Sequence, residues 1–210
     1  MARGSSARAL RGLYAITPAH ADTDRLVRLV AAAVEGGAAL VQYRAKDLDR
    51  GAMLAQAREL VPVCRARGVP LIVNDCVEVA LESGADGVHL GRDDLPARAA
   101  RALMPDAIIG VSCYADASCA AAAAGAGADY IGIGSVFASP TKPRAVRAPL
   151  DLLARARADS GLPVAAIGGI DTGNAPLAIA AGADMVAVIS ALFDAPDVAA
   201  TARRFASLFN

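Results

Sequence analysis

Short apolar runs alternate with longer Ala-, Leu- and Arg-rich stretches of helical period along almost the whole chain. Residues 13–17, 40–44, 71–74, 87–90, 108–112, 130–133, 164–167 and 185–189 read as strands. They are nearly continuous in apolar character, as expected when both faces of a parallel strand are buried. Residues 24–35, 50–67, 77–83, 115–124, 149–159, 173–180 and 196–208 read as helices, with 96–103 as the shortest. A helix between consecutive strands forces parallel crossovers.

One phrase recurs at the joints. Ser83-Gly84-Ala85-Asp86-Gly87-Val88 returns as Ala126-Gly127-Ala128-Asp129-Tyr130-Ile131 and as Ala181-Gly182-Ala183-Asp184-Met185-Val186, with a weaker copy at Gly36-Gly37-Ala38-Ala39-Leu40-Val41. Each ends a helix, where glycine accepts a left-handed cap, and then enters a strand. Repetition of one αβ joint marks a repeating βα unit. Eight such units favour a closed (β/α)₈ TIM barrel, an α/β single domain, over an open sheet. The barrel is expected over residues 12–210, after a flexible segment at 1–11. The longest irregular stretch is 134–148, a length that usually signals a functional or disordered loop, and it is the candidate for a mobile cover.

Composition narrows the partners. The chain has 210 residues, 55% hydrophobic and only 4% aromatic, so Ala, Val, Leu and Ile must build the core. Lys plus Arg and Asp plus Glu balance at 21 each, which argues against a nucleic-acid or acidic-membrane partner. Neither a signal-peptide-like run nor a membrane-length apolar stretch stands out, so a cytoplasmic protein is expected. Cys64, Cys76, Cys113 and Cys119 form no Cys-x-x-Cys pair and read as reduced thiols. A homo-oligomer is compatible with this composition.

In such barrels chemistry sits at the C-terminal strand ends. Alternation sends Gln42 and Arg44 to one side, with Lys46 just beyond, a set suited to an anion or to a rim ion pair. Asn74-Asp75 ends the third strand, and Asp93 and Asp94 follow the fourth. Carboxylates on adjacent strands near phosphates are what Mg²⁺ selects, with Asp75 the better candidate than Asp93. Asp93 or Asp94 could instead cap the helix near Pro96. Ser112 could bond a phosphate or cap the next helix. Ser135, Ser139, Pro140, Thr141 and Lys142 lie in the long loop, where hydroxyls, backbone N–H groups and a lysine can hold phosphate. Gly168-Gly169 and Ile189-Ser190 follow strands seven and eight, the usual barrel phosphate site. His89 reads as structural and His20 as a surface loop residue.

Leu13-Tyr14-Ala15-Ile16-Thr17, Val41-Gln42-Tyr43-Arg44-Ala45-Lys46, Val73-Asn74-Asp75, Gly87-Val88-His89-Leu90-Gly91, Gly110-Val111-Ser112, Pro140-Thr141-Lys142-Pro143, Ile167-Gly168-Gly169-Ile170 and Ile189-Ser190-Ala191 resemble, in order, the motifs of the thiamine phosphate synthase family. The likeness runs from about residue 12 to 205. It implies an enzyme that joins a hydroxymethylpyrimidine diphosphate to a hydroxyethylthiazole phosphate and releases pyrophosphate, with Mg²⁺ as cofactor. By the same resemblance Gln42, Tyr43, Arg44, Ala45, Lys46 and Asn74 fall at the pyrimidine diphosphate site, joined by Ser112 and Lys142. Asp75 and Asp94 match the metal ligands. Ser139, Pro140, Thr141, Gly169, Ile189 and Ser190 match the thiazole phosphate site. Ala45 stands where the family usually has Glu, Tyr43 where it has Leu, Arg92 for Gln, Ser135 for Pro and Ser139 for Thr. The alternatives are a thiazole tautomerase or a non-catalytic sensor on the same barrel. A tautomerase would need a proton-shuttling base, and Cys113-Tyr114 follow Ser112 with no His nearby.

Overall fold

The computed structural model describes residues 10–20, 22–138 and 146–210. Eight parallel strands close into a barrel in sequence order: β1 (Gly12–Ile16), β2 (Leu40–Tyr43), β3 (Leu71–Asn74), β4 (Gly87–Leu90), β5 (Ile108–Tyr114), β6 (Tyr130–Gly134), β7 (Val164–Ile167) and β8 (Met185–Val188). The helices are α1 (Thr23–Glu35), α2 (Arg50–Arg65), α3 (Val77–Ser83), α4 (Ala97–Leu103), α5 (Ala117–Gly125), α6 (Asp151–Ser160), α7 (Ala175–Ala180), α8 (Ser190–Phe193) and α9 (Val198–Ser207). The (β/α)₈ expectation holds. None of the described helices is long and apolar enough to cross a membrane, and all four cysteines are free.

Element ends move for identifiable reasons. β5 runs two residues past its expected end, through a register shift between Ser112 and Tyr114. α5 starts later because the Asp116 side chain accepts from Ser118 N and caps it there. α7 starts at Ala175, since Asp171 Oδ1 accepts from the N–H groups of Gly173 and Asn174 and holds them in a turn. The four-residue α8 was not expected at all.

Two apolar layers result. One lies between sheet and helices. The other fills the barrel itself, with Tyr14, Ile16, Leu40, Ile72, Tyr130, Ala165, Met185 and Ala187. Leu10 packs against this inner layer. The neighbouring Arg11 guanidinium donates to the Phe209 carbonyl and lies over the Phe209 ring.

The repeated joint has a second function that its glycine does not reveal. Gly37, Gly84, Gly127 and Gly182 all take positive φ, as the cap requires. The aspartate two residues after the glycine then turns back to the preceding strand. Asp86 Oδ2 accepts from Leu71 N at 2.8 Å, Asp129 Oδ2 from Ile109 N at 2.8 Å, and Asp184 Oδ2 from Val164 N at 3.0 Å. Three carboxylates thus satisfy strand-start N–H groups at the barrel bottom, away from the chemistry. Asp129 also pairs with Arg101 at 2.5 Å, and Arg101 donates further to the carbonyls of Met104, Pro105, Ala107 and Gly127. Asp129→Ala strands the N–H of fully buried Ile109. It should cost about 1–3 kcal/mol in urea unfolding and leave kcat unchanged. A loss of kcat at unchanged stability would contradict this bottom-face role.

Candidate active site

Alternation decides which residues reach the barrel mouth. The inward positions of β2 are Leu40 and Gln42, followed by Arg44, and those of β3 are Ile72 and Asn74. On β4 the inward residue is His89, and on β5 Ser112 lies above Ile108. The lower inward residues are apolar and the upper ones polar. The result is a cavity of about 390 Å³ at the C-terminal strand ends. Gln42, Arg44, Asn74, His89 and Ser112 line one side, and Gly168, Gly169, Ile189 and Ser190 the other.

The acidic residues sit beside the first wall. Asp75 follows Asn74 and takes φ of 66°. That is uncommon for a residue with a side chain, and such conformations cluster at functional sites. Its N–H donates to the His89 carbonyl at 2.9 Å, and its carboxylate pairs with Lys46 Nζ at 3.4 Å. Asp94 Oδ2 accepts from Gly91 N at 2.6 Å. Burial pushes the Asp94 carboxyl above its ordinary range, and the neighbouring Asp75 carboxyl pushes it further. Neighbouring carboxyls of this kind favour a cation beside them. The capping alternative fails, because Pro96 is the N-cap of α4 and no side chain caps that end. Asp93 is exposed and, with Arg92, lines a second depression that adjoins the cavity at Tyr114 and Gly134.

The opposite wall is built from backbone. Gly168 and Gly169 have φ of 101° and 64°. A Cβ on Gly169 would fall 2.1 Å from the Ala138 carbonyl oxygen, so only glycine fits. The chain after β6 is stitched to this turn by Val136 N to Ile167 O and Phe137 N to Gly168 O. The Gly169 N–H finds no acceptor among the described residues. Ile189 leads directly into α8, which opens at Ser190 beside the cavity. Ser139, Pro140, Thr141 and Lys142 lie outside the described residues.

Two expected site residues point elsewhere. Tyr43 and Ala45 turn into the layer between sheet and helices, because they have the opposite parity to Gln42 and Arg44. The Tyr43 hydroxyl donates to Gln56 Oε1 on α2 at 2.9 Å, and burial pushes its pKa up to about 12. Their side chains do not line the cavity. A residue not anticipated, buried Thr17, accepts from Arg44 N at 3.0 Å and fixes the start of the Arg44–Lys46 turn.

The largest omission of the sequence reading is a hydrogen-bonded chain across the barrel. Gln42 Nε2 donates to Tyr14 Oη at 2.5 Å. Tyr14 Oη lies 2.6 Å from Tyr130 Oη, and Tyr130 Oη 2.9 Å from His89 Nδ1. His89 Nε2 lies 2.9 Å from Ser112 Oγ. Ser112 therefore does not cap α5; Asp116 does. His89, read as structural, is a wall of the cavity. Burial pushes its pKa down to about 4, so its imidazole is neutral at pH 7. One signal was available: two of only four tyrosines stand at inward strand positions, where a hydroxyl must find a partner.

The chain has well-defined relatives. A family profile described as thiamine monophosphate synthase matches residues 13–192. The chain belongs to that family. Thiamine-phosphate synthase from Aromatoleum aromaticum is 53% identical over 202 residues, 96% of this chain and 97% of its own. The same-named protein of Chromobacterium violaceum is 55% identical over 201 residues, 95% and 97% of the two chains. Among solved structures, a thiamine phosphate pyrophosphorylase from Pyrococcus furiosus superposes with a TM-score of 0.84 at 37% identity, covering 96% of each chain. A 3-hexulose-6-phosphate synthase shares the fold at 17% identity and a TM-score of 0.70. Within the thiamine monophosphate synthase family the synthase name recurs, and neither the tautomerase nor the sensor reading gains support from it.

Proposed function

We propose that this chain is a thiamine phosphate synthase, a transferase that joins 4-amino-2-methyl-5-hydroxymethylpyrimidine diphosphate to 4-methyl-5-(2-hydroxyethyl)thiazole phosphate and releases pyrophosphate. One observation carries the reading. A single cavity has a basic, carboxylate-flanked wall on β2–β5 and a glycine-built wall after β7 and β8. That is the layout two phosphorylated substrates require.

The carboxylate pair fits a divalent cation. Asp75 and Asp94, neighbours at the ends of β3 and β4, supply hard oxygen ligands, and substrate oxygens and water complete such a shell. When bound there, Mg²⁺ neutralises charge on the departing diphosphate. The remaining work falls to the chain. In this reading Arg44 and Lys46 clamp the diphosphate, and Asn74 donates to it. Gly169 N–H and the Ile189–Ser190 turn suit the phosphate of the second substrate. The departure at Ala45 removes no donor from this wall, since its side chain faces the helices.

Among the described residues the one hydroxyl of the cavity beside an imidazole is Ser112, 2.9 Å from His89 Nε2. His89 is neutral and engaged on both ring nitrogens. This supports a dissociative displacement in which the enzyme stabilises the leaving group, aligns the thiazole nitrogen with the exocyclic carbon and excludes water. The test is pyrophosphate release by the purified protein given both substrates, with Mg²⁺ and then with excess EDTA. Release that requires both substrates and the metal is the expected result. Release from the pyrimidine diphosphate alone, or none at all, would refute the reading.

A further inference from the structure

The chain from Gln42 to Ser112 has a direction. Tyr14 and Tyr130 are fully buried, so neither hydroxyl proton can point to water. Gln42 Nε2 is a donor only, and it uses one acceptor site on Tyr14 Oη. The Tyr14 proton must then go to Tyr130, the remaining partner. The Tyr130 proton in turn goes to His89 Nδ1. A neutral imidazole that accepts at Nδ1 carries its proton on Nε2. Nε2–H donates to Ser112 Oγ, and the Ser112 proton is left for the cavity. At the other end Gln42 Oε1 also opens on the cavity, since no buried side-chain polar atom among the described residues lacks a partner.

The packing is built for this contact. Gly110 on β5 is the register partner of both His89 on β4 and Tyr130 on β6. Its missing side chain lets those two meet in front of β5. A Cβ there would lie 2.4 Å from Tyr130 Oη and 2.5 Å from His89 Nδ1.

We propose that Tyr14, Tyr130 and His89 are positioning residues that set Gln42 as an acceptor and Ser112 as a donor toward the cavity, and thereby select an amino-substituted azine ring over its oxo counterpart. This rests on the pyrimidine substrate proposed above. An aminopyrimidine donates from its exocyclic amino group and accepts at a ring nitrogen. The oxo form, with a carbonyl and a ring N–H, transposes the two. The opposite polarity would require Gln42 to turn its amide and His89 to carry its proton on Nδ1, and every link would reverse together.

Two measurements test this. The chain has only two histidines, so ¹⁵N-histidine labelling gives two imidazole patterns by long-range ¹⁵N–¹H correlation. His89 is expected as the neutral Nε2–H tautomer, and an Nδ1–H pattern overturns the proposal without any substrate present. Binding is then measured with the unreactive monophosphates of the aminopyrimidine and its 4-oxo analogue. Wild type should prefer the amino ring by on the order of 10²-fold, two mismatched contacts' worth. Tyr130→Phe, or Tyr14→Phe should the first fail to fold, cuts the chain, and the preference should fall at least tenfold. Equal weakening of both ligands would mean a merely structural role and overturn the selection. Failure of wild type to bind either ring would sink the substrate reading instead, and the tautomer result keeps the two failures apart.

Discussion

Asp75→Asn lowers turnover by on the order of 10²–10³-fold, the scale of removing one electrostatic contact to developing charge, while the fold survives. Asparagine is chosen for the backbone. Asp75 has φ of 66°, and Asn tolerates that region where Ala would add strain. The substitution keeps the side-chain volume and removes only the charge. Lys46 loses its ion-pair partner at a half-exposed position, where such pairs contribute about 0–1 kcal/mol. Asp94 simultaneously loses the carboxyl that crowds it. The melting temperature should therefore stay within about 2–4 °C. Mn²⁺ binding, followed by electron paramagnetic resonance in the presence of pyrophosphate, should weaken in parallel with turnover. Asp93→Asn is the control, because Asp93 is exposed and faces the outer depression. Full turnover of the Asp75 variant in saturating Mg²⁺, or an equal loss in the Asp93 variant, would remove Asp75 from the metal site.

What was legible in the chain follows from period. Strands that are apolar on both faces stand out whatever their tertiary partners, and each was placed within two residues of its observed ends. Gln42, Arg44, Asn74 and Ser112 were legible because a polar residue ending an apolar run, at the parity of the inner face, has only the barrel mouth to occupy. Tyr43 and Ala45 show the converse. A contiguous family motif assigned them to the site, although the same alternation sends their side chains to the helices. Asp86, Asp129 and Asp184 were recognised as a repeat, but their bonds run to the strand one unit earlier, a pairing that requires the sheet register. α8 escaped because one helical turn has no period to detect. The Tyr14–Tyr130–His89 chain escaped because its members come from β1, β6 and β4. Only closure of the barrel brings β1 and β6 face to face.

Gly110→Ala should strongly destabilise the barrel beside the site. The new Cβ would sit 2.1 Å from Tyr130 Cζ. That atom belongs to a rigid ring that is fully buried and held edge-on to Tyr14 at 5.7 Å between centroids. His89 closes the other side, with its ring 5.4 Å from that of Tyr130. Neither ring can rotate away without giving up a hydrogen bond to a partner that has no water to replace it. Overpacking of this kind costs about 1–3 kcal/mol, and an unmade buried hydrogen bond adds about 1–3 kcal/mol more. The melting temperature should fall by roughly 4–24 °C for a chain of this size, and ligand binding at Ser112 should weaken with it. Gly125→Ala is the same chemical change with the opposite expectation. Gly125 ends α5 with no atom within 4 Å of a new Cβ, so helix propensity should stabilise the protein by about 0.5–1 kcal/mol. If both variants melt like wild type, Tyr130 and His89 are free to part, and β5 does not hold the gap that lets them meet.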